Sequence, residues 1–176
     1  MFWKNKTEKL FDRAVSYQQN HVFDRALSLY DEILAIDPRC TDAWVNKGNI
    51  LGQQGDHEEA IKCYQHALAL AQARKEVILR SIGMIEHIRG NLESAISFHR
   101  QAIEENPTYG LGWLGLIQAL LNAGMGAEAK AQCTMFALRC TVEDKEIYFK
   151  AKRLVDQFLA TGTIGGPAEL NERWRG

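Results

Sequence analysis

Five histidines, four cysteines and two glutamate pairs are the residues of this chain that chemistry would recruit first, and their spacing argues against it. His21, His57, His66, His87 and His99 are scattered, and none clusters with cysteine or acid at a metal-ligand spacing. Cys40, Cys63, Cys133 and Cys140 lack the short paired spacings of a zinc site or a disulfide framework, so they read as buried or surface thiols. Glu58-Glu59 opens a predicted helix, where negative charge is favourable against the helix dipole, and a structural role outweighs acid-base catalysis. Glu104-Glu105 falls near a helix C-terminus and reads as a solvated face. Gly110-Leu111-Gly112-Trp113 lacks the strand that a dinucleotide site requires, and no glycine-rich loop has the phosphate-binding pattern. The expectation is therefore a chain with no catalysis, no cofactor and no metal.

The elements that would have to position such groups repeat. Leu10, Trp44, Leu79 and Trp113 recur at steps of 34, 35 and 34 residues, and Ala26, Ala60, Ala95 and Ala129 recur in the same register. A period of that length means that one helix-turn-helix unit is copied, because each copy buries its apolar face only against the next. Small residues (Ala14, Gly48, Gly83 and the alanine series) let helix backbones approach closely, while large ones fill the gaps between units. Gln19-Asn20-His21, Gly55-Asp56, Gly90-Asn91 and Gly124-Met125-Gly126 supply the left-handed backbone of a helix end, and Asp37-Pro38 and Asn106-Pro107 stop second helices. In the fourth unit Ile117 stands where a small residue is expected, which predicts a locally spread helix pair.

This pattern resembles the tetratricopeptide repeat, whose order of large, small and aromatic, then alanine, aromatic, alanine and proline, is met almost fully by the first two units. The resemblance implies an all-α, right-handed α-solenoid of about nine helices, with repeats at about 7–40, 41–74, 76–109 and 110–143 in a single domain over 1–160. Thr141-Val142-Glu143-Asp144 resembles a capping box, and a capping helix is expected over about 143–160. Its apolar face is Ile147, Ala151, Leu154, Val155 and Phe158. Residues 161–176 carry Gly162, Gly165, Gly166 and Pro167 and read as a flexible tail, with Trp174 as a candidate docking anchor.

A net charge of -1 removes the long-range attraction to phosphate backbones, so nucleic acid is not expected as a partner. The start, Met1 to Lys9, has no apolar stretch of signal-peptide length, and no run of membrane-spanning length follows; a cytoplasmic chain without membrane insertion is expected.

In the resembled family the first helix of each unit lines a concave groove. Carried over, this implies Phe11, Asp12, Val15, Val45, Asn46, Asn49 and Gln53 in the first two units. The later units contribute Arg80, Ser81, Met84, His87, Leu111, Leu114, Gln118 and Asn122. The amides and Arg80 suit an extended peptide backbone, and Val45, Met84, Leu111 and Leu114 suit apolar pockets. Alanine at Asn49 and Arg80 is expected to abolish binding and leave melting intact. Of the lysine, asparagine and arginine set with which some members grip chaperone tails, only Asn46 fits, since Phe11, Val15, Val77 and Ser81 occupy the other positions. The implied function is a non-catalytic adaptor that binds a peptide segment of another protein. The alternatives are a scaffold that assembles with itself through Met1-Phe2-Trp3 or Trp174, and a dedicated chaperone for secreted proteins.

Overall fold

The computed structural model describes residues 2–163, and among them nine helices and no strand occur. They are α1 (Phe2–Gln19), α2 (Phe23–Ile36), α3 (Thr41–Gln54), α4 (His57–Leu70), α5 (Lys75–Ile88), α6 (Leu92–Glu105), α7 (Gly110–Asn122), α8 (Gly126–Arg139) and α9 (Lys145–Thr161). The fold is an all-α helical repeat. Met1, the side chains of Phe2 and Trp3, and the tail beyond Thr163 with Trp174 lie outside the described residues.

One turn closes every helix pair. One or two residues past the end of each first helix the backbone turns left-handed, at His21 (φ 58°), Gly55 (φ 89°), Gly90 (φ 84°) and Gly124 (φ 76°). The next amide then reaches back five residues, as Val22 N to Tyr17 O, Asp56 N to Leu51 O, Asn91 N to Glu86 O and Met125 N to Leu120 O, each at 2.9 Å. Orphan carbonyls at the helix end are thereby satisfied by the backbone, and at the end of α1 the Asn20 amide adds a bond to Ser16 O at 2.7 Å. A second recurring contact ties the start of a unit to the proline before it. Trp44 Nε1 donates to Pro38 O at 3.0 Å, and Trp113 Nε1 donates to Pro107 O at 2.9 Å. Proline therefore stops one helix and its carbonyl orients the large residue that begins the next.

The chain divides into two compact units, Met1–Arg74 and Lys75–Gly176. In the first, Leu10, Ala14, Ala26, Tyr30, Ile33 and Ile50 form a buried cluster drawn from α1, α2 and α3. In the second, Trp113, Ile117, Leu120, Cys133, Phe136, Ala151 and Val155 bind α7, α8 and α9 together. The volume that Ile117 takes is released across the pair by Cys133, which stands in register with Tyr30, Tyr64 and His99; both residues are buried in that same cluster. Cys133→Tyr is expected to destabilise the unit by about 1–3 kcal/mol through overpacking, and Ile117→Gly combined with it to restore part of the loss in urea unfolding.

One position departs from the repeat pattern and one local expectation changes. Glu86, in register with Leu51 and Leu120, is only 9% exposed, and its carboxylate is held by Arg89 at 3.5 Å and by the Asn91 amide at 2.6 Å. The Thr141–Asp144 pair makes no capping box. Thr141 Oγ1 donates to the Asp144 carboxylate at 2.8 Å, no side chain caps α9, and a Cβ at Gly110 would clash with that carboxylate. Asp144 is thus turned onto the start of α7, where the helix dipole favours negative charge.

Candidate binding surface

Helix register places the implied groove residues, and packing decides which of them are free to meet a ligand. In the first unit Val45, Asn46 and Asn49 are half-buried on α3, and Gln53 is exposed. Asn49 Oδ1 accepts the Tyr64 hydroxyl at 2.8 Å, so this amide already links α3 to α4. Phe11 packs edge-on against Tyr30 with ring centroids 5.9 Å apart and is part of the core wall. Asn49→Ala is accordingly expected to lower stability by about 1 kcal/mol, because it removes the acceptor of a part-buried hydroxyl. A fall in melting temperature in that variant would bear this out, contrary to the expectation from sequence that melting stays intact.

In the second unit the candidate residues lie on α5 and α7. Arg80, Ser81, Met84 and His87 are half-buried on α5, as are Leu111 and Gln118 on α7, while Asn122 is exposed. Leu114 is 4% exposed and belongs to the core cluster, so it backs this surface. The Ser81 hydroxyl is turned to the Val77 carbonyl at 3.0 Å. Asn122 and His87 meet across the two helices, the Asn122 amide nitrogen against His87 Nε2, a pairing that favours the neutral ring. Burial lowers the His87 pKa in the same sense. Among the described residues no carboxylate lies within ion-pair distance of Arg80, whereas Lys47 is paired with Asp31 and Arg100 with Glu128.

Behind this surface sits His99 of α6, fully buried, with neither ring nitrogen hydrogen-bonded. It fits because two glycines leave it room. A Cβ at Gly83 would lie 2.9 Å from its ring, and one at Gly115 would lie 2.5 Å away. Burial, with smaller contributions from the Arg80 charge and from His87 when protonated, pushes its pKa down to about 3. Register with Tyr30 and Tyr64 was the signal in the sequence that His99 is a core residue. The two glycines that box it come from helices on either side of α6 in sequence, and no local pattern joins them.

Among the described residues no group of three His, Cys, Asp or Glu side chains is placed to hold a metal ion, and no helix is long and apolar enough to cross a membrane. Residues 39–104 match the tetratricopeptide repeat family model. Human cilia- and flagella-associated protein 70 is 30% identical over 118 residues, 66% of this chain and 10% of that protein. Human protein O-mannosyl-transferase TMTC1 is 28% identical over 103 residues, 56% of this chain and 11% of that protein. The chain thus spans about a tenth of the length of these two relatives. The solved structure of YrrB, a TPR protein with an unusual peptide-binding site, superposes with a TM-score of 0.65 at 18% identity, over 86% of this chain and 76% of that one. The repeat register, the recurrent left-handed turns, the family model matched over residues 39–104 and the shared fold together support a tetratricopeptide repeat protein.

Proposed function

We propose that this chain is a non-catalytic interaction module that holds a peptide segment of a partner protein against its first helices. The observation that carries the reading is on α5 and α7, where a half-buried Arg80 without a carboxylate partner among the described residues shares a surface with Met84, His87, Gln118 and Asn122. A guanidinium left in that state keeps its fork of donors available to a ligand. Leu111 and Met84 beside it supply apolar contact. The peptide-binding site of YrrB supports the same use of the fold.

Peptide-display selection on the wild-type chain tests this. Enriched peptides are expected to lose binding to an Arg80→Ala, Met84→Ala double variant with unchanged circular dichroism. Retention of every enriched peptide by that variant would place binding elsewhere.

A further inference from the structure

We infer that α9 continues the binding row beyond α7 and docks an acidic segment carrying a large apolar side chain, anchored on Phe149. This extends the peptide-binding reading to the chemistry of the ligand and rests on it for the class of partner.

The register comes first. Ile147, Ala151 and Leu154 of α9 stand 34 residues after Trp113, Ile117 and Leu120 of α7, so α9 is the first helix of a further unit. It packs on both α7 and α8, as a first helix does. In that register Lys145 and Lys152 fall 34 residues after Leu111 and Gln118 of the binding row, and between them Phe149 takes the position of the buried Gly115 but is left in solvent.

Exposure and charge then select the ligand. Phe149 is 61% exposed although Ala151 and Val155 of the same helix are buried, so its ring is not needed for the cap. Tyr148 packs on Phe136 at 5.9 Å and meets Phe149 at 5.4 Å, which forms a shelf of aromatic surface rooted in the core. The side chains one helical turn from Phe149 are Lys145, Glu146, Lys152 and Arg153, three cations against one acid. Asp156 holds Lys152 at 2.6 Å in an exposed pair, the kind that a ligand exchanges at little cost. Among the described residues neither Lys145 nor Arg153 has a carboxylate within ion-pair distance. An aromatic anchor among three cations, one of them in an exchangeable pair, fits an apolar side chain flanked by aspartate or glutamate.

The test uses the full chain and a fluorescein-labelled octapeptide in which a Leu-Trp pair is flanked by glutamates. Two control peptides carry lysine for the glutamates or alanine for the Leu-Trp pair. Fluorescence anisotropy should show binding of the first peptide and neither control. Phe149→Ala and Lys145→Glu/Arg153→Glu should each weaken it by about tenfold or more, with melting unchanged because the three side chains are exposed. Equal binding by these variants and wild type, equal binding of the lysine peptide, or no binding of the acidic peptide would overturn the inference. The Arg80→Ala, Met84→Ala variant separates the two readings. If it alone loses the peptide, the α5–α7 surface stands and the role of α9 falls. If only the α9 variants lose it, the reverse holds.

Discussion

Acidification from about pH 7 to about pH 4 should weaken the second unit through one side chain, and His99→Phe should remove most of that loss. His99 titrates near 6.5 when unfolded and at about 3 in the fold, where burial opposes the charge. Between those values the unfolded chain binds a proton that the folded chain refuses, so stability is complete above pH 6.5 and falls as the pH drops toward 3. At about pH 4 the linkage amounts to roughly 3 kcal/mol, from about 1.4 kcal/mol per pH unit below the unfolded pKa. That is a large fraction of the stability of a small domain. His87, also held neutral by burial, adds a slope of the same sign that persists in the variant. At neutral pH His99→Phe puts a larger ring into this close-packed site, a cost of about 1–3 kcal/mol that the loss of two unpartnered buried nitrogens partly offsets. Urea unfolding of both proteins across the pH range gives the difference, and parallel pH profiles would show that His99 is not the group responsible.

Gly115→Ala carries the second large effect. Alanine in a helix interior ordinarily gains about 1 kcal/mol over glycine. Here the new methyl would lie 2.5 Å from the His99 ring and 2.9 Å from its Nε2, and the ring has no room to retreat from a fully buried position between Gly83 and Gly115. Overpacking of this kind costs about 1–3 kcal/mol, so a net loss of stability is expected. Because the clash involves one partner, Gly115→Ala combined with His99→Ala should be less destabilised than the sum of the two single variants, as a double-mutant cycle would measure. Additivity would mean that the helix pair spreads and the ring is not the obstacle. Gly83→Ala, with 2.9 Å to the same ring, should behave alike and more mildly.

Both effects arise where the repeat departs from itself. Tyr30 and Tyr64 reach out of the core far enough for their hydroxyls to find Gln18 and Asn49, each at 2.8 Å. The shorter imidazole of His99 does not, and glycines close over it. A position that anchors the helix pair by a hydrogen bond in the first unit is, in the second, held by shape alone.

The amino-acid sequence by itself determined the helical repeat, its period, the turn positions and the face of each first helix. Those follow from local chemistry: spacing of large and small residues, glycine or histidine at the left-handed turn, proline at the stop. The tertiary structure decided which residues on that face remain available. Asn49 is engaged by Tyr64, Leu114 is drawn into the core, Asp144 is turned onto α7, and His87 is bridged to Asn122. Phe149, which lies off the apolar stripe of its helix, is left in solvent among cations. Each of these outcomes depends on partners 15 or more residues away or on the neighbours a helix meets only after packing. A periodic pattern encodes which way a side chain starts out, and the contacts it makes are set by the helices packed around it.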